Sequence, residues 1–424
     1  MTDGIAEAAK IAQSRGTRGK FAAMTGAYFA GTLNDNFCRQ GIMLLAVAAG
    51  MGRMQSYITI LFTAPFIFFA AYAGYLSDRF SKRSVVIFVK LTTVGTYILG
   101  AIGLYLMSWP IILITVFILG VQATIFSPAI YGSIPELYPS EYVVTANGIF
   151  TVISNAAILL GIAGAGVVLD IEGGANVPVS GVYLTAGIFL FIAVVAFVVS
   201  IFFPKFPAAS PEARFPWEGP VDSVVTLIES RRDALLAKSL FVKAFFWFAG
   251  SLQILIINEL GINQFGLTKT MTSVLVVIEL MGIGVGGLLA PLFARGERWY
   301  RVLAPSGILM AVSMFAVTAV EYLPEQIHKA VLIGALALLG IAGGVFSIPV
   351  SSFVQVKPAA EVKGKIIASS NFADFLGILL SGVVFYVFNR LDIKPSNGFG
   401  IEAIMVLAIA VWLLISLPKG SKNA

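Results

Sequence analysis

The chain has 424 residues, 58% of them apolar and 12% charged, with a mean hydropathy of +0.91. A soluble domain is about 25% charged, so this composition excludes a soluble enzyme, a disordered chain and a nucleic-acid-binding domain. One cysteine (Cys38) and one histidine (His328) exclude an internal disulfide and the usual His/Cys metal sites, and no cofactor is expected.

At about 20 residues per span, there is room for twelve helices with short loops. In chain order, apolar runs predict helices at 21–49, 55–77, 84–107, 110–131, 143–169, 180–203, 236–261, 269–294, 300–323, 330–352, 364–389 and 398–417. The first follows a basic start (Lys10, Arg15, Arg18, Lys20) and contains Asp35 and Arg39, so it is too long and too polar for a cleavable signal peptide. Lys90, near the start of the third, is expected to snorkel to the cytoplasmic surface. Pro128 and Pro349 are expected to kink the fourth and tenth, as candidate gate hinges. Gly161, Gly164 and Gly166, and the run Gly282, Gly284, Gly286 and Gly287, read as close-packing faces. Between the sixth and seventh helices, 204–235 opens Pro/Ala-rich. It then carries Val221, Val224, Val225 and Ile228 at helical spacing, as a cytoplasmic linker with an interfacial helix would. The organisation expected is an N-terminal six-helix bundle at 1–203, the linker, and a C-terminal six-helix bundle at 236–424.

The basic residues give the orientation. With the N-terminus in the cytoplasm, twenty of the 28 Lys and Arg fall on inside segments and five outside, while Arg39, Lys90 and Lys243 lie within spans. That bias places both termini in the cytoplasm of a multi-pass membrane protein.

The two halves repeat. Phe29-Ala30-Gly31-Thr32-Leu33-Asn34 corresponds to Phe248-Ala249-Gly250-Ser251-Leu252-Gln253, and Leu119-Gly120-Val121 with Ile125-Phe126-Ser127 to Leu339-Gly340-Ile341 with Val345-Phe346-Ser347. Ser154-Asn155, Ala157 and Leu160-Gly161 correspond to Ser370-Asn371, Ala373 and Leu376-Gly377. These runs pair span 1 with 7, 4 with 10 and 5 with 11. A parallel six-plus-six repeat is the architecture of the major facilitator superfamily. The loop Gly74-Tyr75-Leu76-Ser77-Asp78-Arg79-Phe80-Ser81-Lys82-Arg83 resembles the signature G-x-L-[A/S]-D-R-x-G-[R/K]-[R/K] of that superfamily, with Ser81 in place of the second glycine. Gly74 is expected to permit close helix approach. Asp78 is expected to latch one conformation at a helix N-terminus, and Arg79, Lys82 and Arg83 to anchor the cytoplasmic face.

Ionisable residues inside spans cost roughly 2.5–3.5 kcal/mol on insertion scales, so each is a candidate site. Asp35 lies ~22 Å along its helix from Lys20, with Arg39 one turn on and Asn34, Asn36 and Gln40 making a polar stripe. The pair either compensates itself or lines a polar cavity that meets a charged headgroup. Glu279 in span 8 and Asp374 in span 11 are also deep, with Lys243 or Arg39 as potential partners. Asn155 and Asn371, with Asn147, are either interhelical hydrogen-bonding groups or cavity lining, and Gln122 and Gln253 are neutral candidates. Glu259 is expected to be ordinary at the end of span 7.

Beyond the superfamily, Phe126-Ser127-Pro128-Ala129-Ile130-Tyr131-Gly132, Pro135-Glu136-Leu137, Ala146-Asn147-Gly148 and Ala156-Ala157-Ile158-Leu159-Leu160-Gly161 resemble the bacterial lysophospholipid transporter family. Asn34-Asp35-Asn36 with Arg39 is similar to the N-D-N-x-x-K of transporter domains fused to lysophospholipid acyltransferase/acyl-ligase modules. Gly343-Gly344-Val345-Phe346, Pro349, Gln355, Asn371 and Asp374 also fit the family. Two family features are replaced: the acid after A-N-G (here Ile149-Phe150-Thr151) and an arginine in span 7 (here Ser251-Leu252-Gln253-Ile254), for which Arg39 is expected to compensate.

The resemblance implies an all-α transporter of twelve transmembrane helices in two pseudo-symmetric six-helix bundles. It would flip lysophosphatidylethanolamine-like lipids by alternating access. Asp35 would meet the ammonium and Arg39 the phosphate, with Gln122, Asn155, Gln253 and Asn371 as neutral partners. A cytoplasmic lysophospholipid acyltransferase/acyl-ligase would be the partner, and no nucleic acid is expected. One alternative is a proton-coupled carrier of a small soluble metabolite or drug, using Asp35, Glu279 or Asp374. A lipid-modifying enzyme is disfavoured by the lack of a nucleophile–base constellation.

Overall fold

The computed structural model describes residues 2–138, 140–171 and 180–417, and among these no strand occurs. The helices are α1 (Thr2–Ala48), α2 (Arg53–Phe68), α3 (Ala70–Arg79), α4 (Lys82–Tyr105), α5 (Trp109–Tyr131), α6 (Ile134–Leu137), α7 (Ser140–Leu169) and α8 (Gly181–Ile201). They continue with α9 (Gly219–Glu229), α10 (Ala234–Glu259), α11 (Lys269–Phe293), α12 (Leu303–Ala319), α13 (Glu325–Val356), α14 (Ala360–Arg390) and α15 (Pro395–Ser416). Lys419 and Lys422, used for the charge bias, lie outside the described residues, as do the side chains of Lys10 and Arg15.

Among the described residues, ten helices are long and apolar enough to cross a membrane, and eleven if the bent pair α2–α3 counts as one span. The polar run Asn34, Asp35, Asn36, Arg39 and Gln40 lowers the hydropathy of α1, the remaining expected span. Large apolar side chains face outward along these helices, including Leu288, Phe191 and Phe202, as lipid-facing surfaces require.

The expected second span is broken. Its two parts meet at Phe69 with a 55° bend. Pro65 lies one turn earlier inside α2, where it lacks the ladder bond back to the Leu61 carbonyl, on the far side from the break. Pro128 and Pro349, by contrast, lie inside helices that continue through them.

Contacts divide the chain into two units: Met1–Ile42 with Phe68–Gly219, and Met43–Ile67 with Pro220–Ala424. The break at Phe69 therefore falls at a unit boundary. In the first unit, Met24, Val86, Phe126, Phe150 and Phe203 form an apolar core, and α4 packs on α5 and α8. The segment after the last helix of this unit folds back on α3: Tyr72 stacks on Phe215 at 5.0 Å, and Trp217 stays exposed. α9 leaves Val221, Val224, Val225 and Ile228 exposed on one amphipathic helix.

In the second unit, α2 packs on the later helices: Phe66 stacks on Phe375 at 4.2 Å, and Gln55, fully buried, accepts from Asn258 at 2.9 Å. α11 packs tightly on α13. A Cβ at Gly282 would lie 2.7 Å from the carbonyl oxygen of Ala337, and one at Gly286 would strike that of Ile341, so only glycine permits this approach. The repeat is visible in packing: Gly161 of α7 abuts the α1 backbone at Leu33 and Phe37, and Gly377 of α14 abuts the α10 backbone at Ala244 and Phe248.

Candidate functional site

In the first unit the polar residues of α1 meet α4. Asp35 Oδ1 accepts from the Tyr97 hydroxyl at 2.9 Å, and Arg39 Nη2 donates to Asn36 Oδ1 at 3.3 Å. Two cations act electrostatically on Asp35: Lys90 first, then Arg39. Lys90 does not snorkel. It is 4% exposed, with Nζ 3.8 Å from the ring centroid of Phe126, and it lies against Gly31, where a Cβ would collide with it. The negative face of the ring and the nearby carboxylate compensate its charge better than a route out along an apolar helix would. Asp35, Asn36 and Arg39 are partly exposed and hence within reach of a ligand.

Other polar groups of this unit are already engaged. Gln122 donates to Thr96 Oγ1 at 2.9 Å and accepts from Thr93 Oγ1 at 3.1 Å, tying α5 to α4. Asn34 donates to the Phe189 carbonyl at 2.8 Å, and Asn36 to that of Thr32 at 2.8 Å. Asn155 is exposed on α7.

In the second unit, Lys243 of α10 pairs with Asp374 of α14 and donates to Ser370 Oγ at 3.0 Å. Asn371 is exposed one turn before Asp374. Gln253 donates to Glu402 Oε1 at 2.8 Å, and Glu279 is buried away from the Lys243 pair's hydrogen bonds. Glu259 is not an ordinary end-of-helix acid: it is 8% exposed, accepts from Asn263 at 2.5 Å, and occupies the space that a side chain at position 52 would need, so Gly52 is required there. A cavity of about 260 Å³ beside it is lined by Asn389, Asp392 and Lys394, apart from the Lys243 pair.

The signature loop is tied down within the first unit. Lys82 is buried and paired with Glu136 rather than serving as a surface anchor. Its apolar surroundings demand a partner, and α6 supplies one. Arg79 donates to the Ala213 carbonyl at 3.0 Å, Arg83 to that of Ile201 at 2.7 Å, and Ser210 N–H to that of Asp78 at 2.9 Å. Ser81 caps α4 by accepting from Ser84 N–H at 3.2 Å. The Asp78 side chain is exposed. The close approach expected at Gly74 is not made: nothing lies within 4 Å of a Cβ there, because α3 presents that position to open space.

Tyr97, Glu136 and Glu402 are the residues sequence reasoning passed over. Lys90, Thr93 and Tyr97 recur at helical spacing, which marks a polar stripe on span 3. Glu402 is an acid in an otherwise uncharged span, and the rule that singled out Glu279 applies to it equally.

Apolar helices of spanning length that hold buried, paired charges define an all-α membrane protein. The model of the Major Facilitator Superfamily matches residues 21–382. The lysophospholipid transporter LplT of Shigella sonnei (strain Ss046) is 30% identical over 369 residues, covering 85% of this chain and 86% of that protein. The one from Klebsiella pneumoniae (strain 342) is 27% identical over 368 residues, with the same coverage. A solved D-xylose–proton symporter matches with a TM-score of 0.72 at 14% identity, over 94% of this chain and 98% of that one, which is a likeness of fold. The chain belongs to the Major Facilitator Superfamily, as a transporter and not an enzyme.

Proposed function

We propose that this protein flips lysophospholipids of the lysophosphatidylethanolamine type across the bacterial inner membrane by alternating access, with both termini in the cytoplasm. The observation that carries this reading is the group Asp35, Arg39 and Lys90, a partly exposed carboxylate with two cations acting on it. A zwitterionic headgroup has the complementary charges: its ammonium suits the carboxylate, and its phosphate suits the guanidinium. Lys243 and Asp374 offer a second such set in the other unit. The curated relatives, named lysophospholipid transporters, support the same substrate class. The flipped lipid would then be re-acylated by a cytoplasmic lysophospholipid acyltransferase/acyl-ligase.

The test is reconstitution in liposomes, with labelled lysophosphatidylethanolamine added outside and back-extraction reporting what has crossed. Protein-dependent protection that Asp35→Asn abolishes is the expected result. Protection equal to that of protein-free liposomes would overturn the reading. Reporters fused after Ala424 and within 205–235 test the orientation, and an external signal at either place would reverse it.

A further inference from the structure

The second unit holds another polar group, on α10, α11 and α15, that the headgroup reading does not use. Glu279 is 2% exposed and Glu402 0%. Gln253 donates to Glu402 Oε1 at 2.8 Å, while Oε2 of each glutamate is buried with no hydrogen-bond partner. Glu279 lies close enough to Glu402 to act on it electrostatically.

The helices around them bring no compensating cation among the described residues. α12 has no charged side chain, α15 none besides Glu402, and α13 only Glu325, His328 and Lys329 at its start. α11 adds Lys269, ten residues from Glu279 along that helix. On α10, Lys243 is paired with Asp374, Lys238 donates to the Ser416 carbonyl at 2.5 Å, and Glu259 stands at the far end. α14 carries Lys363 and Lys365 near its start, Asp374, and Arg390 at its end.

The fold does not demand these acids. Gln253 is the repeat counterpart of Asn34, whose Nδ2 in the first unit donates to a backbone carbonyl, the one at Phe189. A carbonyl would serve Gln253 equally well, yet here a carboxyl fills the role, with a second carboxyl beside it. Two buried carboxylates in one apolar site cannot both ionise, and each ionised oxygen without a donor carries the full desolvation penalty.

We infer that Glu279, Glu402 and Gln253 form a proton-binding site, a carboxyl pair that holds a proton in this conformation and releases it when water reaches the site. On release, one O–H bond breaks heterolytically and the proton passes to water. The Glu402 carboxylate left behind keeps Gln253 Nε2 as its donor, while Glu279 retains its own proton. Binding reverses these steps.

The experiment is infrared spectroscopy of the full chain in lipid nanodiscs, and it does not depend on which molecule the protein carries. The C=O stretch of protonated carboxyls is followed from about pH 6 to about pH 10, a range that brackets documented buried glutamates, in wild type, Glu279→Gln, Glu402→Gln and the double variant. Glutamine keeps the shape of a protonated glutamate, and melting curves check the fold of each variant. The wild type should lose a carboxyl band as pH rises. Each single variant should alter that loss, and the double variant should lose less of the band than the wild type. Three results would overturn the proposal: a band unchanged across the range, a loss in the double variant as large as in the wild type, or a band removed at constant pH by sodium chloride and restored by choline chloride, which would make this a metal-cation site.

Discussion

The Tyr97 hydroxyl donates to Asp35 Oδ1 at 2.9 Å and joins α4 to α1 at the most polar point of the first unit. Tyr97 is itself fully buried, in contact with the ring of Phe189 at 5.1 Å. The rotamer of Asp35 is thus set by a neutral donor held in an apolar wall, leaving Oδ2 for other partners.

Tyr97→Phe removes that donor and nothing else of the ring. A fully buried acceptor that loses its partner costs about 1–3 kcal/mol, and partly exposed Asp35 should lose less. The melting temperature should fall, and flipping should fall with it as Asp35 loses its orientation. An unchanged melting temperature would show that the bond does not hold α1 to α4.

Asp35 should couple more strongly to Lys90 than to Arg39, because Lys90 is the leading cation acting on it. Double-mutant cycles check this, one with Asp35→Asn and Lys90→Met, the other with Asp35→Asn and Arg39→Gln. The first should give a coupling of about 1–3 kcal/mol and the second less. If the group reads a headgroup, both double variants recover stability but not flipping. Normal flipping in the Asp35/Arg39 double variant would move the headgroup role to Lys243 and Asp374.

Lys243 and Asp374 have side chains only 14% and 10% exposed. Removing one partner strands a buried charge, at a cost of about 3–5 kcal/mol. Asp374→Asn and Lys243→Met should each lower the melting temperature, and the combination should regain most of it. A double variant no more stable than the worse single one would contradict this pairing.

Asp78 and Glu136 separate motion from structure in the signature loop. The Asp78 side chain is exposed, so Asp78→Asn should shift stability by no more than about 0.5 kcal/mol while slowing flipping through loss of the proposed latch. Glu136→Gln leaves buried Lys82 without its carboxylate and should lower the melting temperature clearly. Wild-type flipping in Asp78→Asn would reduce the loop to an anchor.

Gly286→Leu should be the most disruptive of these changes. A side chain there meets the backbone of α13 at Ile341 and Gly344, which cannot yield as a side chain would. Overpacking costs about 1–3 kcal/mol where neighbours can move, and more where they cannot. Folded yield and melting temperature measure it, and a fully stable variant would mean that α11 and α13 can separate.

Much of the fold was legible in the chain because the relevant signals are local. Apolar runs of spanning length marked α4, α5, α8, α10, α11 and α15 to within a few residues, since the lipid phase demands continuous helix hydrogen bonding. Repetition of Phe29–Asn34 at Phe248–Gln253 exposed the two related halves without any coordinate. Asp35, Arg39, Lys243 and Asp374 announced themselves as charges where charge is expensive. The break at Phe69 is not legible, because a proline in an apolar run does not by itself locate a break: the 55° bend lies four residues after Pro65, while Pro349 sits in an unbroken helix.

Composition and spacing alone thus determined a helical membrane protein with an internal repeat and an intramembrane polar stripe, because burial in lipid writes itself into every apolar run. Pairing was decided only by tertiary structure. Asp35 turned to Tyr97 and Lys90 on α4, Lys82 to Glu136, Lys243 to Asp374, and Glu402 to Gln253. The reason is physical: helix periodicity fixes which residues share a face, but a charge's partner depends on which face of another helix comes within hydrogen-bonding reach, and that follows from side-chain packing between segments far apart in the chain.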